Sequence, residues 1–303
     1  MEKKKIVVIG SVNLDMVITV GKQPVMGETV LGSGFMQVPG GKGANQAVAA
    51  ARLGAEVTFI GAVGEGPSGA ALVESLSANG VFTGYTKTVS DRPTGTAMII
   101  VYGGDNYIAV DQGANRAVDK ELIDAAEVRL READMAVLQL EIPYDTVDYA
   151  MRRCGQFGVP VLLNPAPAPT TPLDSGLLSG AYLITPNEAE TFALTGIEPA
   201  TPDDAIKAAG RLSALGANNI VITLGGNGCV YGFGTDFRHM PAIKVSEVVD
   251  TTAAGDSFTA ALAVALSNGK SLEDAVIFAS KVGAVTVTRK GAQPSLPYLH
   301  EIG

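Results

Sequence analysis

The run Asp250-Thr251-Thr252-Ala253-Ala254-Gly255-Asp256 sets three small residues directly before a carboxylate. Apolar Val248-Val249 precedes it and the helical pattern Thr259 to Leu266 follows, so the spacing predicts a strand-to-helix turn. Small side chains at 253 to 255 let a ligand approach the backbone closely, and the first amides of a helix have no intrahelical acceptor. Such a turn is an anion site, and the positive end of the helix dipole favours a negative charge at Asp256. A carboxylate there can orient a hydroxyl and take its proton, while the amides of Ala253, Ala254 and Gly255 hold developing charge. That is the division of labour phosphoryl transfer needs. The plainer reading, a helix cap made by Asp256 or Ser257, fits these residues alone about equally well.

Other clusters carry compatible chemistry. In Val12 to Val20 the apolar Leu14, Met16, Ile18 and Val20 alternate with a second face, which puts Asn13 and Asp15 side by side where they could hold a polyol. A solvated strand face is the plainer alternative. Gly40-Gly41-Lys42-Gly43-Ala44-Asn45 opens a helix expected from Gln46 to Leu53, with Lys42 and Asn45 as donors. It is neither a Walker A loop nor a dinucleotide fingerprint. Asn187 and Glu190 lie near one helix start, where they could order a hydrated magnesium ion or form a capping box. Gly225 to Gly228 could lie over a nucleotide phosphate or be a hairpin turn. The glycine-containing loop Arg289 to Ser295 offers carbonyls that, with Asp250, could hold a monovalent cation.

These residues need a scaffold, and the order of apolar runs supplies one. Ile6-Ile9 reads as a strand buried on both faces, and from about residue 119 strands and helices alternate, which implies parallel strands with helices on both sides. Ligands gather at the carboxyl ends of such strands. Glu141, Asn164-Pro-Ala-Pro, Pro186 to Glu190, Gly225 to Gly228 and Asp250 each follow an apolar run. Segments at about 12–38 and 95–112, the second a hairpin turning at Gly103 to Asn106, break the alternation and are assigned to a small β lid. The expected architecture is one α/β domain over residues 1–303, three-layer αβα with a central, mostly parallel sheet plus that lid.

Composition agrees. The chain has 303 residues, 47% hydrophobic and 17% charged, without a long charge run. A net charge of -9 argues against a nucleic-acid partner and requires any phosphate site to be locally positive or metal-assisted. The apolar run after Lys5 ends at Ile9, too short for a signal h-region or a membrane span. Two cysteines, Cys154 and Cys229, make no disulfide framework and show no metal-ligand spacing, so a reducing cytoplasm is expected. The only histidines, His239 and His300, follow no nucleophile elbow, which disfavours a hydrolase triad.

Taken together, residues 40–45, Asn-Pro-Ala-Pro-Ala at 164–168, Thr-Pro-Asn-Glu at 185–188, residues 250–256, and Thr-Arg-Lys-Gly-Ala-Gln-Pro-Ser at 288–295 resemble the ribokinase-like sugar and nucleoside kinase family. The similarity runs from the first strand to the last loop. It implies ATP-dependent phosphorylation of the 5-hydroxyl of D-ribose, with Asp256 as base. Deoxyribose, another sugar or a nucleoside would be the neighbouring substrates, and a non-catalytic sugar-binding protein a more distant reading. The resemblance further implies a sugar site of Asn13, Asp15, Gly41, Lys42, Asn45 and Glu141. Asn187, Thr223, Gly225, Gly228 and Ser280 would lie along the nucleotide, with Asn187 and Glu190 ordering magnesium through water. Asp250, Thr252, Thr286, Arg289, Gly291 and Ser295 would hold potassium, mostly through carbonyls, and the lid would pair two copies as a homodimer. Glu65-Gly66 stands where many relatives carry two aspartates, and Ser280 where the adenine-facing residue is often larger.

Overall fold

Lys5–Ile9 form strand β1 because Ile6, Val7, Val8 and Ile9 offer branched apolar side chains to both faces of a sheet, and all four are buried. The computed structural model describes residues 3–103, 105–171 and 173–303. Next come β2 (Asn13–Val20), β3 (Gly32–Gly40), α1 (Lys42–Arg52), β4 (Glu56–Gly64), α2 (Pro67–Ala78), β5 (Val81–Val89), β6 (Gly95–Tyr102) and β7 (Asp105–Asp111). The middle of the chain holds α3 (Lys120–Ala125), α4 (Glu127–Glu132), β8 (Met135–Leu138), α5 (Tyr144–Phe157), β9 (Val161–Leu163), α6 (Ser175–Gly180) and β10 (Leu183–Ile184). It ends with α7 (Glu188–Thr195), α8 (Pro202–Ala214), β11 (Asn219–Thr223), β12 (Cys229–Phe233), β13 (Asp236–Met240), α9 (Ala254–Ser267) and α10 (Leu272–Thr286).

Nine strands make the main sheet in the order β13-β12-β11-β10-β9-β8-β1-β4-β5. Pairing is parallel from β5 to β11, and β12 and β13 add as an antiparallel edge. On one face, Ile6 and Val8 join a core built with α1, α2, α9 and α10. On the other, Val7 and Ile9 join a core with α3, α4, α5, α6 and α8. This is the expected three-layer arrangement. The remaining strands form a separate sheet, β3-β2-β6-β7, in which β2 and β6 pair in parallel and the outer pairs are antiparallel.

Two expectations need correction, and one strand was unforeseen. Residues 241–253 contain no strand, so the turn before α9 is not strand-to-helix; Val248 and Val249 are exposed, and the amides of Val249 and Asp250 dock on the carbonyl of Val287 instead. Helix α1 starts at Lys42 rather than Gln46, because Gly41 turns the chain at φ 88, a left-handed conformation glycine adopts without steric cost. Strand β5 escaped the sequence reading, since its apolar Phe82 and Tyr85 fall out of alternation around Gly84 at a sheet edge. The hairpin of β6 and β7 forms with Tyr102 opposite Asp105; its turn includes Gly104, which lies outside the described residues. Among the described residues no helix is long and apolar enough to cross a membrane. Both cysteines are free and buried, and burial pushes each thiol up to about 12.

Candidate active site

Helix α9 begins with Ala253 as its N-cap in the left-handed region at φ 60, the one non-glycine residue among those described with a positive φ. The first amides of such a helix have no intrahelical acceptor. The Ala254 amide donates to the Thr251 carbonyl at 3.2 Å, which leaves Ala253 and Gly255 as the expected anion-hole residues that also line the adjacent cleft. Asp256 does not cap the helix. Its carboxylate, 8% exposed, accepts Asn45 Nδ2 at 2.9 Å on one oxygen and Gln46 Nε2 at 3.0 Å on the other.

Both donors come from the first two turns of α1, where close packing fixes their position. A Cβ at residue 43 would stand 2.7 Å from the Ser11 amide nitrogen, so only glycine lets α1 approach the end of β1 this closely. The Gly43 amide donates to Ser11 Oγ at 3.3 Å, Ser11 donates a short hydrogen bond to Glu141, and the Lys42 amide reaches the same carboxylate at 3.2 Å. Glu141 is thereby fixed beside the helix start. Burial alone would depress the Lys42 ammonium, but the surrounding carboxylates of Asp256, Glu141, Glu190 and Asp15 outweigh it and raise its pKa.

Asn13 and Asp15 sit on the buried face of β2, at 3% and 7% exposure, so the solvated-face alternative does not hold. Asn115 chelates the Val12 backbone, accepting its amide and donating to its carbonyl, and its amide also donates to Asn13 Oδ1 at 2.7 Å. Backbone groups thus orient Asn115, and Asn115 in turn leaves the Asn13 amide group facing away as a donor. Burial raises Asp15 from 3.8 to about 7, with Glu141 and Asp256 adding to the effect and Lys42 opposing it.

A cleft of about 190 Å³ runs past Lys42, Asp256, Ala253, Gly255, Asn187, Glu190 and Thr223. Asn187 and Glu190 form the capping box of α7, each accepting the other's amide at 2.9 Å. Burial raises the Glu190 pKa, a cost that a nearby cation would relieve. Among the described residues no group of three or more His, Cys, Asp or Glu could hold a metal directly. Asn187 and Glu190 could hold a magnesium ion only through its waters.

The remaining predicted residues divide. Gly225 opens a short turn between β11 and β12, a hairpin connection, and Gly228 closes it against the backbone of Met240. Ser280 lies on α10, its hydroxyl 3.9 Å from Met240 Sδ, and does not line this cleft. Asp250 accepts the Thr252 amide and hydroxyl at 2.9 and 2.6 Å and the Gly291 amide at 2.8 Å, which ties the turn before α9 to the closing loop. The Arg289 side chain pairs with Glu301, away from Asp250; Ser295 is buried and donates to the Ala292 carbonyl, and the Thr286 hydroxyl donates to Ser257 Oγ.

A profile of the pfkB family of carbohydrate kinases matches residues 3–299. The chain belongs to that family. This pfkB family member is 43% identical over 299 residues to ribokinase of Bacillus subtilis, covering 99% of this chain and 98% of the relative. It is 39% identical to ribokinase of Haemophilus influenzae over 99% of this chain and 97% of the relative. Among solved structures, Arabidopsis thaliana ribokinase complexed with ribose and ATP superposes with a TM-score of 0.91 at 34% identity, covering 100% and 98% of the two chains. Sequence reasoning missed Gln46, Asn115, Gln139 and the contact role of Asn164. The available signal was positional: polar amides inside runs that are otherwise apolar must find buried partners.

Proposed function

We propose that this pfkB kinase transfers the γ-phosphoryl group of ATP to the 5-hydroxyl of D-ribose. Full-length similarity to several ribokinases supports the substrates, and the relative solved with ribose and ATP supports the pairing. The observation that carries the chemistry is Asp256, buried at a helix start, held by two side-chain donors and lining the cleft.

Asp256 takes the hydroxyl proton as the sugar oxygen attacks the γ-phosphorus, and the bond to the ADP oxygen breaks. The amides at Ala253 and Gly255 face the transferring group, with Ala254 holding the turn in shape. Lys42 lines the same cleft, so beside its expected place near the sugar it supplies positive charge there. Asn13 and Asp15 offer a donor and an acceptor to sugar hydroxyls, and Gly41, Asn45 and Glu141 complete that wall. Asn187, Thr223, Gly225, Gly228 and Ser280 lie along the nucleotide in this reading. Asn187 and Glu190 would hold magnesium through water, where it would offset phosphate charge. Asp250 with the carbonyls of Thr252, Thr286, Arg289, Gly291 and Ser295 would hold potassium, whose charge would steady the neighbouring anion turn.

The small sheet acts as the lid of a single domain spanning residues 1–303, and its exposed Phe35, Met36, Met98, Tyr107 and Ile108 support pairing of two copies through it. Two buried free thiols fit a reducing cytoplasm. ADP release measured with ribose, deoxyribose, other sugars and a nucleoside tests the assignment. Ribose is expected to rank first; another substrate ahead by more than about tenfold in kcat/KM, about 1.4 kcal/mol, would displace it.

A further inference from the structure

Two amides hold the base, and they are not equivalent. Gln46 is fully buried and fully committed. The Thr185 carbonyl can only accept, so Asn164 must present Nδ2 to it, at 2.9 Å. Asn164 Oδ1 then faces Gln46 and can only accept, so Gln46 must present Nε2, at 3.1 Å. The same Nε2 donates its second proton to Asp256 at 3.0 Å, and Gln46 Oε1 accepts from Gln139 Nε2 at 2.7 Å. A backbone carbonyl two residues removed along this chain of amides therefore decides which end of Gln46 faces the carboxylate. Asn45 is different. Its Nδ2 donates to the other Asp256 oxygen, but its Oδ1 is buried without a hydrogen-bond partner among the described residues.

We propose that Gln46 is the positioning residue of the base: it anchors one Asp256 oxygen in every state, and the oxygen held by Asn45 is the one that receives the substrate proton. Asn45 has unspent capacity and can turn to a sugar hydroxyl, whereas Gln46 cannot turn without losing three bonds. When the sugar binds, Asn45 exchanges its partner and frees that oxygen for the reacting hydroxyl. The O–H proton passes to it, the O–H electron pair forms the new oxygen–phosphorus bond, and the old bond's pair leaves with ADP.

This rests on the kinase reading above, and the test separates the two. Gln46→Met keeps length and removes the donor. The value of kcat near neutrality should fall about 10- to 100-fold, with the KM for ribose changing less than about threefold. An unchanged kcat in the folded variant, or a loss confined to KM, would overturn the proposal. If the variant does not fold, a crystal structure of the wild-type protein with ribose and a non-hydrolysable ATP analogue decides. The 5-hydroxyl should face the oxygen opposite Gln46; contact with the Gln46-held oxygen would overturn it. A wild type that turns over a different sugar overturns the substrate reading alone, and kcat and KM measured with that sugar then decide the role of Gln46.

Discussion

Asp250 and Asp256 stand six residues apart at the start of the same helix and have opposite roles. Asp250 spends its oxygens on its own surroundings, on two groups of Thr252 and on the amide of Gly291. Asp256 accepts nothing from its own turn; its donors are side chains of α1, and it lines the cleft. A carboxylate whose lone pairs are used by backbone donors is holding a loop, and any cation it also meets acts through that loop. One held by side chains of another element, beside open space, is held for a ligand. Both are short acidic residues near glycine, so composition alone does not separate them.

The sharpest way to break this contrast is Asp256→Asn. The amide keeps the shape but cannot take a proton, so kcat should fall by about 10³-fold or more, while calorimetry should find ribose affinity within about threefold of the wild type. Comparable turnover in the two proteins would make Asp256 another structural carboxylate.

Asp250→Asn should do less, and do it differently. One side of the new amide must point its N–H groups at existing donors, so the link between the 250–252 turn and Gly291 loosens. Turnover should drop roughly tenfold, and the rate advantage of potassium over sodium chloride should vanish. An undiminished advantage would remove Asp250 from the cation site. Burial opposes ionisation of Asp250, but donors from Thr252 and Gly291 overcome it and lower its pKa from 3.8. A depressed pKa gives stability that is present above the unfolded value and lost as pH falls through the folded one. The melting-temperature gap between wild type and variant should thus be steady from pH 5 to 8 and close below about pH 4.

How much of this was legible beforehand follows the same division. Alternation placed Asn13 and Asp15 on one strand face, and small residues before Asp256 marked the turn that opens α9, because both are local patterns. The layers followed from apolar runs. What failed depended on partners far along the chain. Val248 and Val249 look like strand residues but lie in an exposed loop, the Val249 amide docking on the Val287 carbonyl just past α10, a tertiary choice that propensity cannot anticipate. The orientation of Gln46 depends on Thr185, 139 positions later (185 minus 46), and no spacing rule links them. The start of α1 was misplaced because Gly43 looks like a helix breaker, while in the fold its missing side chain is what admits the helix beside Ser11.

Asp15 supplies the smallest and most discriminating effect, since it is a third kind of carboxylate, buried with no hydrogen-bond donor among the described residues. Its pKa is raised from 3.8 to about 7, chiefly by burial and then by Glu141 and Asp256. The folded protein therefore binds this proton more tightly than the unfolded chain. Stability is lost as pH rises from about 4 to about 7, and the full cost remains above that range. Asp15→Asn removes the cost, so the variant should melt a few degrees above the wild type at pH 8, roughly 3 °C per kcal/mol recovered, with little difference at pH 4. Ribose should narrow the gap at pH 8, because its hydroxyls donate to the ionised wild-type carboxylate and not to an amide nitrogen. Thermal melts at the two pH values, with and without ribose, measure all four quantities. A gap that ignores ribose would mean that Asp15 is a buried structural acid, and the sugar wall would then have to be drawn without it.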